Sequence, residues 1–249
     1  MSIIVLVSSF ILHSASATIY KCGNTSQSLS NEWDYLTFAQ QWPPTFCLSQ
    51  KEPCNIPADV KSWTIHGLWP SAKNGLDPEY CNSPQVFNDT SIQVLMKQLN
   101  QTWPNLIVEK PYTEFWQHEW CKHGTCAENC SEMKGEMNYF KKGIDLHEQI
   151  RLYVALESEN IIPGNHYSLS NVTNAISTKF EVQPRVMCYH DSKRNQSILQ
   201  QVEVCLNRDF KLIDCPGLKK FKNKRLRGPS ECSTKHELVY PPFEEYNIV

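Results

Sequence analysis

Apolar and polar residues follow two different rhythms along this chain. In the first two thirds, helical spacing dominates. "DTSIQVLMKQLNQTWP" places Ile92, Leu95, Met96 and Leu99 on one helical stripe, behind candidate caps at Asp89 to Ser91. "EFWQHEWCKH" reads as a helix stopped by Gly124. "MNYFKKGIDLHEQIRLYVALES" predicts one amphipathic helix, and "SLSNVTNAISTKF" a shorter one capped by Ser170. Earlier, "KSWTIHGLWP" predicts a buried strand that leaves its sheet at Gly67 and stops at Pro70. After residue 184 the rhythm changes. "RVMCYH", "ILQQVEVCLN" and "FKLIDC" predict paired antiparallel strands, with Cys188, Cys205 and Cys215 at their ends. The order predicts an α+β domain, helices first and sheet later, with an antiparallel core packed against several helices.

The first residues break both rhythms. The apolar run Ile3 to Leu12 is too short to span a bilayer, and Ala15-Ser16-Ala17 has the small-x-small pattern of a signal-peptidase site. Residues 1–17 therefore read as a signal peptide and 18–249 as one domain. No later stretch is apolar for long enough to be a transmembrane helix. Eleven cysteines and six Asn-x-Ser/Thr sequons, at Asn24, Asn88, Asn100, Asn129, Asn171 and Asn195, also point to export. An odd cysteine count leaves at least one thiol unpaired within the chain. A net charge of -2 supplies no global field for nucleic acid, so any such binding needs a local site. The basic cluster "LKKFKNKRLRG" reads first as a solvated loop and otherwise as an auxiliary contact for an anion.

The densest chemistry lies in "QHEWCKHGTC", residues Gln117 to Cys126. A zinc-protease helix needs two histidines four apart, and the residue four beyond His118 is Lys122. Cys121, His123, Cys126 and Cys130 offer a second zinc ligand set, but an oxidising compartment favours disulfides, and paired Cys-x-x-Cys knuckles are lacking. On a helix, His118, Glu119, Lys122 and His123 share one face. That set suits an anion gaining charge in a transition state: cations for phosphoryl oxygens, a carboxyl to tune them and an imidazole to move a proton. Cleaving an RNA phosphodiester needs a second proton carrier, and His66 in "WTIHGLWP" is the candidate.

"WTIHGLWP" and "FWQHEWCKHGTC" together resemble the two active-site segments of the ribonuclease T2 family. "FAQQWPPTFC", "WPNL" and a late "YPP" extend the resemblance from about Tyr35 to Pro242. The resemblance implies an exported, metal-independent and cofactor-free endonuclease for single-stranded RNA, secreted or lysosomal and monomeric. It implies broad base specificity, an acidic preference and a 2′,3′-cyclic phosphate product. Carried over, His123 is the base and His66 the acid. His118 holds phosphate, while Glu119 and Lys122 stabilise the phosphorane. Gln41, Asn105, Leu106 and Phe115 would surround one base, with Trp69 near the phosphate or a first base. The resemblance also implies disulfides Cys47–Cys54, Cys81–Cys126, Cys188–Cys232 and Cys205–Cys215. Cys22, Cys121 and Cys130 remain, to be paired as Cys121–Cys130 or as Cys22–Cys130. A glycoprotein acting by binding rather than cleavage, and a zinc protein, are the alternative readings.

Overall fold

The computed structural model describes residues 19–22, 32–81, 86–217 and 230–243. The expected signal peptide, the sequon at Asn24 and the basic cluster lie outside the described residues. Strands β1 (Ile19–Lys21) and β4 (Val86–Asn88) form a small antiparallel pair. The remaining strands build one eight-stranded sheet around β7 (Gln196–Leu206). Along one path the order is β3 (Thr64–Ser71), β2 (Tyr35–Gln41), β7, β10 (Leu238–Tyr240) and β5 (Asn165–Tyr167). On its other edge β7 pairs with β6 (Arg185–Asp191) and β8 (Leu212–Ile213), and β6 carries β9 (Ser230–Glu231). The fold is α+β, but the sheet is not confined to the later part of the chain: β2 and β3 come first and are closed by β7. Pairing is antiparallel except between β7 and β10, which run parallel.

Helices α1 (Pro43–Ser49), α2 (Met96–Thr102), α3 (Tyr112–Lys122), α4 (Glu136–Gln149), α5 (Leu152–Glu157) and α6 (Leu169–Phe180) surround the sheet. Several differ from the sequence reading. The stripe at 92–99 begins as a 3₁₀ segment, Asp89–Leu95, capped by Asn88 rather than by the residues after it. The Asn88 side chain accepts from the Thr90 amide. The long amphipathic stretch is two helices, broken after Gln149, and Gln40 Nε2 donates to the Ile150 carbonyl at the break. Ser168, not Ser170, caps α6 by accepting from the Asn171 amide. Strand β3 continues through Gly67 and Pro70 to Ser71, because it is the last strand on its side and a proline there need not interrupt a ladder. Cys188 sits within β6, not at its end.

Tryptophans fill the core. Trp42, Trp63, Trp103, Trp116 and Trp120 are all essentially inaccessible to solvent. Four of them find acceptors for the indole N–H: the carbonyls of Pro241, His66 and Trp103 and the hydroxyl of Tyr240. A buried indole left unpaired would forfeit part of its large apolar gain. Trp103 matters most for function, since it lies between α4 and the back of β3 and holds the His66 carbonyl at 3.2 Å.

Five disulfides staple this framework: Cys22–Cys121, Cys47–Cys54, Cys81–Cys126, Cys188–Cys232 and Cys205–Cys215. Both pairings considered for the three remaining cysteines are replaced. Cys121 sits on the buried side of α3, where its partner arrives from the segment after β1, and the unpaired thiol is Cys130. A loop separation of 99 residues, invisible to local spacing, sets this bond.

Candidate active site

Strand β3 supplies one wall of the site, and a register shift makes it. Ala39 of β2 pairs with Gly67, but Gln40 pairs with Ile65, so His66 is an extra residue bulged out of the ladder. In a regular strand His66 and Trp69, three apart, would face opposite sides of the sheet. The bulge changes the parity and puts both on one face. Their rings meet edge to face at 5.1 Å between centroids. The same face carries Gln41 and Thr37 from β2, Gln201 and Glu203 from β7, and Arg185 from β6, whereas Phe38, Val202, Val204 and Ile65 turn to the apolar core.

Helix α3 supplies the other wall. Its last turn holds His118, Glu119 and Lys122, and His123 is the residue on which the helix ends. Gly124 allows that ending, because a methyl group there would overlap the Trp120 ring. His123 lies against Trp69, with ring centroids 5.5 Å apart, and against His118 at 6.4 Å. Glu119 is buried and accepts from Trp69 Nε1 at 2.9 Å. Trp69 thus stands between the two histidines and ties helix to strand. Gly67 makes this approach possible, since a side chain there would overlap both Trp69 Nε1 and Glu119 Oε2. The helix end is anchored by Cys22–Cys121 and Cys81–Cys126, and by the Tyr80 amide donating to the Lys122 carbonyl at 2.9 Å. Glu79 reaches the Lys122 ammonium at 3.4 Å.

Burial and mutual repulsion set the charges. Burial lowers the pKa of His66, His118 and His123 from that of free imidazole, most strongly for His123, and Lys122 lowers all three further. Burial pushes the Glu119 carboxyl up to about 8, against the opposing pull of the Trp69 hydrogen bond and Lys122. At mildly acidic pH Glu119 is therefore a neutral acid. The site combines hydrogen-bond donors, the Lys122 ammonium and a neutral carboxylic acid, an arrangement that suits an anion.

A metal would meet a different environment. Donor atoms of His118, Glu119 and His123 lie within 4.8 Å of one another. The Lys122 ammonium, close enough to lower the pKa of both histidines, opposes a cation there. The sulfur ligands of the alternative zinc set are divided: Cys121 and Cys126 are oxidised to different partners.

Beside His118 opens a cavity of about 170 Å³ lined by Gln41, Asn105, Leu106 and Phe115. Phe46, Lys110 and Glu114, which the sequence did not suggest, complete much of it. Gln41 is buried, and its Oε1, shielded from solvent, has no hydrogen-bond partner among the described residues. Asn105 instead shapes the wall: Oδ1 accepts from the Ile107 amide at 3.0 Å and Nδ2 donates to the Pro111 carbonyl at 3.1 Å. Phe115 lies between cavity and strand, stacked at 6.3 Å on His66. Trp69 is not part of this cavity and belongs with the histidines. Glu79, Arg185, Gln201 and Glu203 also escaped the sequence reading, and Gly67 entered it only as the expected exit from the sheet.

Comparison with known proteins is consistent with this geometry. Residues 33–215 match the model of the ribonuclease T2 family. The chain is 34% identical to ribonuclease Oy of Magallana gigas over 220 residues, covering 87% of this chain and all of that protein. It is 33% identical to ribonuclease T2 of Danio rerio over 239 residues, covering 92% and 95%. Among solved structures, human RNase T2 superposes with a TM-score of 0.71 at 32% identity, over 84% of this chain and 99% of that one. RNase NT in complex with 5′-AMP gives 0.70 at 30%, over 85% and 100%. With its bulged strand facing a histidine-rich helix end, this chain belongs to the ribonuclease T2 family.

Proposed function

We propose that this chain is an exported endoribonuclease that cleaves single-stranded RNA by metal-independent transesterification. The carrying observation is the placement of two histidines on separate elements, with Trp69 between their rings and Lys122, His118 and Glu119 beside them. A phosphodiester entering between the walls has a proton carrier on each side. His123, whose pKa is the most depressed, is neutral and able to take the 2′-hydroxyl proton. His66, whose hydrogen bond to Gln201 favours the charged ring, gives a proton to the leaving 5′-oxygen. The products are a 2′,3′-cyclic phosphate and a 5′-hydroxyl. Lys122 and His118 hold the non-bridging oxygens, and neutral Glu119 donates a hydrogen bond as charge builds on them.

The depressed histidine pKa values favour an acidic working range, since the acid must be charged while the base is not. One base lies against Phe115 in the neighbouring cavity, beside Gln41. Stacking tolerates any base, which supports broad specificity.

The protein acts as a monomer in a secretory or lysosomal lumen. Five disulfides support that compartment, and no helix among the described residues is long and apolar enough to cross a membrane. Asn100, Asn171 and Asn195 are exposed and open to glycosylation, whereas Asn129 is exposed but accepts from Trp33 Nε1, and Asn88 is half-buried and engaged as a cap. The test is cleavage of a short RNA in EDTA from pH 4 to 8, with products weighed by mass spectrometry. A cyclic phosphate and a bell-shaped acidic profile support the reading. Cleavage abolished by the chelator overturns it.

A further inference from the structure

Behind His66 runs a row of buried polar side chains, of which the proposed chemistry uses only the nearest bond. His66 Nδ1 is hydrogen-bonded to Gln201 Oε1. Gln201 Nε2 donates to Glu203 Oε1 at 2.8 Å. The other Glu203 oxygen meets Arg185 Nε at 2.7 Å, with both side chains almost wholly enclosed. Arg185 is held in turn by Thr37 Oγ1 at 3.2 Å and by the Pro216 carbonyl at 3.3 Å. The row spans β3, β7 and β6, passing over Ala39, whose small side chain on the intervening strand leaves room for Gln201 to reach His66.

We infer that Gln201, Glu203 and Arg185 are positioning residues that lock His66 into one tautomer, with the proton on Nδ1 and only Nε2 facing substrate. The direction is fixed from the far end. Burial raises the Glu203 pKa, but the Arg185 guanidinium against it and the Gln201 bond favour the ionised form. An ionised carboxylate only accepts, so Glu203 compels Gln201 to present its NH₂ group. The Gln201 carbonyl is then left for His66, and a carbonyl requires an N–H, so Nδ1 keeps its hydrogen in the neutral and the charged ring. Every proton that His66 gives or takes therefore passes through Nε2. A side chain able to hydrogen-bond in either direction would not impose this. Gln201 does so because its amide cannot turn over without facing Glu203 oxygen to oxygen.

This inference rests on the reading of His66 as a proton carrier, and its test separates the two. The charged and titratable groups facing His66 are Glu203 from β7, Arg185 from β6, and His118, Glu119, Lys122 and His123 from α3. The probe is ¹⁵N NMR of labelled full-length protein at neutral pH, read beside kinetics on a short RNA. Wild type should show His66 protonated at Nδ1 and bare at Nε2. Gln201→Met should lose that state. It should also lower kcat by about 10- to 100-fold, part of what a positioned proton carrier contributes, with KM within about two-fold. The pH limb belonging to His66 should move to lower pH, because the Gln201 bond that favours the charged ring is gone. Glu203→Gln should give a mixture of tautomers. Should that variant strand Arg185 and fail to fold, Arg185→Met/Glu203→Gln removes the stranded charge and carries the same expectation. Nε2 protonation in the wild type, or an unchanged tautomer and pH limb in Gln201→Met, overturns the inference. A fully active His66→Ala would overturn the proton-carrier reading instead, with the tautomer lock still readable by NMR.

Discussion

The two walls of the site hold their histidines by different means. On the strand wall, His66 is gripped by hydrogen bonds: a carbonyl behind its ring and Trp103 on its own backbone carbonyl. On the helix wall, the His123 ring has no hydrogen-bond partner among the described residues and is placed by packing on Trp69 and by a helix end stapled with two disulfides. Burial and Lys122 lower the pKa of both rings, and only His66 has the opposing Gln201 bond. Under the proposed roles that bond helps the donor keep its charge, while His123 stays neutral as a base should.

The most severe way to test this contrast is to remove each ring. His66→Ala and His123→Ala should each lower the initial rate on a short RNA by roughly 10²–10⁴-fold, and the double variant should be far less than additive because the two act as a unit. Retained activity in either single variant would show that its wall carries no proton.

The next effect is on stability. The Glu119 carboxyl has a folded pKa of about 8 against an ordinary 4.5, so between those values the folded chain holds the proton more tightly than the unfolded one. Stability therefore falls as pH rises through that window, by ~1.4 kcal/mol for each pH unit. The buried histidines act oppositely and cost stability as pH falls below 6.5. Glu119→Gln should remove the decline between about pH 4.5 and 8 and leave the histidine-driven loss below 6.5, as followed by urea unfolding from pH 4 to 9. An unchanged decline across that window would mean that Glu119 is solvated.

Gly67→Ala attacks the joint between the walls. Its methyl group must displace Trp69 or Glu119, which should cost about 1–3 kcal/mol by overpacking and lower kcat more than it raises KM. The smallest effect belongs to the neighbouring cavity. Phe115→Ala should raise KM about 5- to 10-fold with kcat nearly intact, from the loss of about 1 kcal/mol of base stacking. A larger fall in kcat would place Phe115 with His66 rather than with the base.

Much of this site was legible before the fold. His118, Glu119, Lys122 and His123 fall on one helical face by spacing alone, and the four residues expected around a base line one cavity. What supports them was not legible. Gln201 and Glu203 look like ordinary polar positions in an apolar strand, and only the register of β2 between β3 and β7 brings them behind His66. The bulge at His66 leaves no trace in composition, so the strand reads as leaving its sheet where it has only gained a residue. The break at Ile150 was hidden because its partner, Gln40, is distant in sequence and donates to the Ile150 carbonyl only in the fold.

The bond between Cys22 and Cys121 also shapes how the protein is made. Cys22 is the first cysteine of this sequence to be synthesised, and its partner follows 99 residues later. At ~5–20 residues per second the wait is roughly 5–20 s. Cys47, Cys54 and Cys81 emerge during that interval, within easy reach of a waiting thiol. Correct pairing therefore requires Cys22 either to stay free of those thiols or to be exchanged from them once α3 has emerged. The rate of maturation should follow the thiol–disulfide exchange capacity of the compartment more closely than the speed of translation.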